Sequence, residues 1–246
     1  MALSKVALIT GGSRGIGAAT ARALAAEGWD IAISYRARQD AAEQVAEECR
    51  ALGRRALTVR ADVSDQDDIA ALFAAAATGL GEIDAVVNNA GVVPPASRVE
   101  HYDADRVNQL FATNVTGAFL VAAHAVRRMS SMHGGRGGVI VNVSSRAAVL
   151  GGAGEYVDYA ASKAAIDALT IGLAAEVGAE GIRVVGVRPG LIDTEIHAPG
   201  RLERLGSTPP MGRPGTAEEV ADTIAFLASD RASYLTGTTV DVSGGR

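Results

Sequence analysis

The chain has 246 residues, 48% of them hydrophobic and 21% charged, which suits one large α/β domain or two small ones. Its net charge of −5 argues against nucleic acid as the main partner, and its single cysteine, Cys49, excludes an intramolecular disulfide. No uninterrupted apolar run approaches the ~18 residues of a membrane span, and the N-terminus leads into a strand pattern without the apolar region of a signal peptide. A cytoplasmic protein with no membrane partner is expected, with Cys49 a structural thiol.

Short apolar runs alternate with longer helical patterns. Val6–Ile9 reads as a first strand ending in Thr10-Gly11-Gly12, and residues 15–27 as a helix stopped by Gly28. A strand at 31–33, a helix at 39–52 closed by Gly53, and a strand at 56–59 follow. Ser64 is placed to cap a helix whose apolar face carries Ile69, Leu72 and Phe73. Further strands are predicted at 85–87, 139–143, 184–187 and 239–242, with a long helix over about 156–177. Strands this apolar are buried on both faces, and the connections between them make right-handed crossovers. The pattern predicts an α/β fold: a single domain over residues 1–246, a doubly wound, Rossmann-type parallel sheet of seven strands. Residues 191–215, rich in Pro and Gly, follow the sixth strand and are placed as a lid over a ligand at the carboxyl ends of the strands.

The segment Thr10-Gly11-Gly12-Ser13-Arg14-Gly15-Ile16-Gly17 joins the first strand to the first helix. Such a turn must be tight, must let backbone approach a phosphate, and must pack the helix on the sheet. Glycine serves all three needs, and a helix N-terminus adds unpaired N–H groups and a positive dipole end. No Lys stands where a nucleotide-triphosphate loop would place one.

This turn resembles the cofactor turn of the short-chain dehydrogenases/reductases. Asn88-Asn89-Ala90-Gly91, Ser144-Ser145, Tyr159-Ala-Ala-Ser-Lys163 and Pro189-Gly190 resemble that family's later signatures, in family order and over essentially the whole chain. The resemblance is closest to 3-oxoacyl carrier-protein reductases and sugar dehydrogenases. It implies a nicotinamide cofactor held by Gly11, Ser13, Arg14, Gly15, Ile16 and Gly17, with Asn88, Ala90 and Gly91 beside it. It also implies adenine contacts from Asp62 and the Val63 backbone, and nicotinamide contacts from Pro189, Gly190, Ile192 and Thr194. Many members carry Asn where this chain has Val185 in the sixth strand.

Tyr35 ends the second strand where an acidic residue would accept from a ribose hydroxyl, and Arg36 follows it. With Arg14 in the glycine turn, two guanidinium groups can clamp a 2′-phosphate. NADP is therefore the expected cofactor, ahead of NAD.

The chain has five tyrosines and only two lysines, Lys5 and Lys163. Tyr159 and Lys163 are four residues apart, on one face of an almost wholly apolar helix, where a lysine needs a reason to be. A phenol titrates near ~10, and bringing it to ~7 takes about 4 kcal/mol. One ammonium at ~4 Å supplies about 4 kcal/mol at an effective dielectric of ~20, so Lys163 is expected to lower Tyr159. The resemblance implies a catalytic set of Asn114, Ser145, Tyr159 and Lys163. Ser145 would bind the substrate carbonyl with Ser144 as rival, Tyr159 would donate the proton, and Lys163 would hold the nicotinamide ribose. Asn114 would support a water leading to Lys163. The Ser145-to-Tyr159 spacing is one residue longer than in many members, an extra residue placed in the 151–155 loop.

The reaction expected is reduction of a carbonyl, or oxidation of a secondary alcohol, by hydride transfer on a small molecule. The alternatives are a non-catalytic NADP-binding sensor and an epimerase, and the complete catalytic set argues against the first. No metal site is expected, His197 in the lid reads as a surface residue with a substrate contact as the alternative, and no cluster of cations marks an acidic substrate. The apolar helix bearing Tyr159 and residues 119–126 suggest helix-to-helix self-association, and relatives are often homotetramers.

Overall fold

A computed structural model describes residues 4–196 and 200–246; His197 lies outside the described residues. The expected strands form, five of the seven longer than the apolar runs alone indicate, by one to four residues. They are β1 (Val6–Ile9), β2 (Asp30–Tyr35), β3 (Ala56–Arg60), β4 (Ala85–Asn88), β5 (Gly138–Val143), β6 (Ile182–Pro189) and, after two short strands in the lid, β9 (Thr239–Val242). They make one seven-stranded sheet in the order β3-β2-β1-β4-β5-β6-β9, parallel throughout.

Alternate residues of β1 go to opposite faces, Ala7 and Ile9 into one core and Val6 and Leu8 into the other. Helices α1 (Gly15–Ala26), α2 (Gln39–Ala51) and α9 (Ala217–Ala228) cover the first face through Leu24, Val45 and Ile224. Helices α3 (Gln66–Leu80), α5 (Ala118–Met129) and α7 (Val157–Val177) cover the second through Phe73, Val121 and Val177. Cys49 is fully buried on α2 and burial pushes its thiol up to about 11, which makes it an inert packing group. Val185 is fully buried in the first core.

Helix α4 (Ala104–Phe111), a π-helical stretch at Ala112–Gly117 and α5 run on as one helix, Ala104–Met129. By length and composition alone it could cross a membrane, which a search for uninterrupted apolar runs passes over. Its Val121, Ala125 and Met129 pack into the second core, so it is a core helix.

The cap of α3 is Asp65 and not Ser64. The Asp65 carboxylate accepts from the Asp67 and Asp68 amides at 2.8 and 3.2 Å, while the Ser64 hydroxyl donates to Asp62 Oδ1 at 2.7 Å. A carboxylate one residue closer is the better partner for a positive helix end. The described residues of 191–215, expected as a lid, carry short elements of their own. Two-residue strands β7 (Ile192–Asp193) and β8 (Gly215–Thr216) pair at its stem, α6 (Ala147–Leu150) precedes α7 beneath it, and α8 (Arg201–Leu205) lies within it. Strand order reverses between β1 and β4, so a crevice opens at their carboxyl ends.

Candidate active site

Gly11 and Gly15 bend the first turn with φ of +66° and +53°, a region other residues avoid. A Cβ on Gly17 would lie 2.5 Å from the Gly11 carbonyl and 2.6 Å from Asn89 Nδ2, so only glycine lets α1 start this close to the turn. Arg14 at the N-cap makes no capping bond. The first N–H groups of α1 are therefore left for an anion, and the turn fits a dinucleotide phosphate.

The second Asn of Asn88-Asn89 holds this turn, and the structure corrects the expectation for the first. Asn89 Nδ2 donates to the carbonyls of Thr10 and Gly11 at 2.8 and 3.1 Å, and Asn89 lines the cleft. Asn88 is buried inside the sheet instead, donating to the Ala118 carbonyl at 2.9 Å and to Asn142 at 3.3 Å. Its β register sends its side chain to the α5 face. Asn142 in turn donates to Thr170 on α7 at 3.0 Å, which ties the helix carrying Tyr159 to the sheet.

Two cavities of about 410 and 380 Å³ meet along the carboxyl ends of the strands, sharing Ile16, Asn89, Gly91 and Thr194. The smaller is lined by Gly11, Ser13, Arg14, Gly15, Tyr35, Arg36, Asp62, Val63 and Ala90. Pro189, Gly190 and Ile192 line the larger. Asp62 accepts from the Ser64 amide at 3.0 Å and faces Arg36 Nη1 at 3.7 Å. Burial works against its charge, but these partners still hold its carboxyl below the usual value.

A third arginine, missed in the sequence, completes the cationic end. Arg14 Nη1 and Arg38 Nη1 both reach the lid carboxylate Glu195 Oε2, at 3.3 and 2.8 Å. Glu195 thus sits between two guanidinium groups and is itself held below the ordinary carboxyl range by Arg14 and Arg38. The alternating Arg36-x-Arg38 was the signal available; a partner 157 residues away was not.

At the other end, Ser145, Tyr159 and Lys163 line the larger cavity. Ser145 lies near enough to the Tyr159 phenol to favour its ionised form. Ser144 Oγ donates to the Lys163 carbonyl at 3.0 Å and is buried, whereas Ser145 Oγ accepts from the Ala147 amide at 3.1 Å, which leaves its hydroxyl proton for a ligand in the cavity. Lys163 is buried, with Nζ donating to the Val143 carbonyl at 2.8 Å and 5.9 Å from the Tyr159 ring centre.

Burial pushes Lys163 down to about 8, against a raising contribution from Asp167. Burial pushes Tyr159 up, opposed by the Ser145 hydrogen bond and by the charge of Arg201. This overturns the expectation that Lys163 lowers the phenol: within the chain desolvation outweighs the charges, and the cation acting on Tyr159 is Arg201 in the lid. A Cβ on Gly91 would sit 3.4 Å from both Lys163 Nζ and Asn114 Oδ1.

Asn114 lies in the π-helical stretch, a feature common at functional sites. Its side chain is committed to structure, accepting from the Val92 amide at 2.8 Å and donating to the Val92 carbonyl at 2.9 Å and Ser162 Oγ at 3.2 Å. It clamps the segment after Gly91 to α7. The buried Asp158 beside Tyr159 pairs with Arg106 Nε at 2.7 Å and accepts from the Tyr159 amide at 2.9 Å, fixing the first turn of α7 on α4. The lid also brings Arg201 and Arg204 to the cavity wall, against the expectation that no cations cluster there.

A doubly wound sheet with an anion-binding glycine turn and a tyrosine and a lysine in the same cleft defines a dinucleotide-binding oxidoreductase. A family model described as enoyl-(acyl carrier protein) reductase matches residues 11–246. The uncharacterized oxidoreductase YgfF of Escherichia coli (strain K12) is 51% identical over 245 residues, 98% of this chain and 99% of that protein. Cis-4-hydroxycyclohexanecarboxylate dehydrogenase of Sinomonas cyclohexanicum is 41% identical over 98% of this chain and 96% of its own length. A short chain dehydrogenase from Burkholderia cenocepacia J2315, solved in complex with NADP, superimposes with a TM-score of 0.91 at 34% identity, covering 99% of this chain and 98% of that one. The chain belongs to the short-chain dehydrogenase/reductase family and is an oxidoreductase.

Proposed function

We propose that this protein interconverts a carbonyl and a secondary alcohol with NADP(H). The observation that carries the reading is the single cleft, with Ser145, Tyr159 and Lys163 at one end and Arg14, Arg36 and Arg38 at the other. When bound, the nicotinamide supplies or accepts the hydride. Ser145 donates a hydrogen bond to the substrate oxygen, and the Tyr159 phenol donates the proton to it. Burial keeps that phenol protonated at neutral pH, the form that reduction requires. Lys163 holds the ribose hydroxyls, and Asn114 positions Val92 and Ser162 around it. One relative is named for a ring alcohol and one structural neighbour binds NADP, which supports both halves of the reading. The test is consumption of NADPH across a panel of ketones. Tight NADPH binding with no turnover across the panel would favour a sensor.

Selection of NADP rests on the three arginines. NADPH is expected to bind about tenfold or more tightly than NADH, the preference disappearing in Arg36→Ala. Glu195 competes with the 2′-phosphate for Arg14 and Arg38, so Glu195→Gln is expected to tighten NADPH binding a few-fold, on the order of one lost ion-pair competitor, and to leave NADH unchanged. Fluorescence titration of both cofactors reads this; a wild type that prefers NADH would sink the assignment.

The same reading includes self-association into a homotetramer through α5 and α7, where Phe119 and Ile171 expose apolar side chains. Light scattering on the eluting protein checks it, and a monomer would refute it.

A further inference from the structure

The larger cavity is mostly apolar on the side facing the lid, where Leu150, Tyr156, Leu191, Ile196 and Leu205 line it. Four arginines also reach its wall among the described residues: Arg146, Arg201, Arg204 and Arg246. Two of them make their contacts outside the Glu155 cluster. Arg146 pairs with Asp241 at 2.5 Å, and Arg246 Nη1 donates to the Thr208 hydroxyl at 3.2 Å.

Arg201 and Arg204 differ. They stand three residues apart on α8, so one face of the helix presents both. Both converge on a single carboxylate, Glu155, which Arg201 Nη1 contacts closely and Arg204 Nη2 meets at 2.8 Å. Two positive charges therefore share one negative charge. Glu155 is the one acceptor recorded for either guanidinium among the described residues, and each guanidinium has five donors. Arg201 is not a solvent-facing cation: its side chain is 19% exposed and its guanidinium lies 4.8 Å from the centre of the Tyr156 ring. It is close enough to Tyr159 to act on the phenol. The excess charge of the pair thus lies on the wall of the cavity that Tyr159 also lines.

We propose that the substrate carries a carboxylate, bound by Arg201 and Arg204 beside the reacting carbonyl, with an apolar body between the two groups. The inference rests on the carbonyl–alcohol reading above and narrows it to oxo acids and hydroxy acids. A single carboxylate balances the excess of one positive charge that Arg201 and Arg204 carry over Glu155. The planar forks of two arginines match the two carboxylate oxygens. Glu155 holds the guanidinium groups in place from the segment before α7.

The experiment compares 4-oxocyclohexanecarboxylate and 4-oxopentanoate with their methyl esters, using NADPH and the full-length protein. The wild type is expected to favour each acid by about tenfold or more in kcat/KM. In Arg201→Gln, and less completely in the more exposed Arg204→Gln, the ratio falls toward one, mainly through a higher KM for the acid. Equal use of acid and ester by the wild type overturns the proposal. So does Arg201→Gln lowering both equally with the ratio kept, because Arg201 is then only a lid latch. Should neither pair turn over, the carbonyl reading fails for these ketones and binding decides the anion site. With saturating NADP, a rise in Tm produced by 4-hydroxycyclohexanecarboxylate but not by its methyl ester, and absent in Arg201→Gln, supports the site. No rise with the acid overturns it.

Discussion

Tyr159→Phe is expected to lower kcat for carbonyl reduction ~10²–10⁴-fold, the usual contribution of a positioned acid–base group. The change removes one hydroxyl from a side chain whose ring and backbone are held independently. The Tyr159 amide is fixed by Asp158, and α7 is anchored to the sheet through Thr170 and Asn142. NADPH affinity is therefore expected to stay within about twofold, because the phosphate-binding groups lie at the other end of the cleft. Stopped turnover with retained binding isolates the proton step. A variant that keeps wild-type kcat would show that the proton comes from another donor, and the role given to Tyr159 would be wrong.

Lys163→Met is expected to cut activity comparably and to change how stability depends on pH. In the folded protein Lys163 releases its proton near pH 8, and in the unfolded chain near 10.5. Between those values the unfolded state binds more protons, so wild-type stability gains as pH rises through this window. Below pH 8 both states are charged and the full penalty of a buried ammonium persists. The difference of 2.5 units corresponds to about 3 kcal/mol. Stability relative to wild type should therefore shift against Lys163→Met by about 3 kcal/mol between pH 7 and pH 10.5. This holds whatever the loss of the Val143 carbonyl's partner adds, because that term does not titrate. Urea unfolding of both proteins at the two pH values reads the shift. Parallel pH profiles would mean that Lys163 keeps an ordinary pKa. The same titration predicts that wild-type reduction declines above pH about 8, as the ammonium is lost.

The strands and the glycine turn were legible because their causes are local. An apolar run buried on both faces, a glycine forced to positive φ and a Tyr–Lys pair one helical turn apart each involve a few neighbouring residues. The misreadings have a common origin too. Ser64 and Asp65 are both good caps, and only the course of the chain into α3 selects the second. Asn88 and Asn89 are chemically identical, and only the sheet register decides which one faces the cleft. Lys163 is near Tyr159 in sequence, yet its ammonium is taken by a carbonyl on β5, and desolvation sets the sign of both shifts.

By itself, the sequence determined the doubly wound fold, the cleft at the end of β1 and the residue types that meet there. Only the tertiary structure decided the charges at the two ends of that cleft, Glu195 between Arg14 and Arg38, and Glu155 between Arg201 and Arg204. The reason is physical. Backbone conformation follows from short-range sterics and periodic burial, whereas an ion pair between distant segments exists only once packing has brought them within a few ångströms of each other.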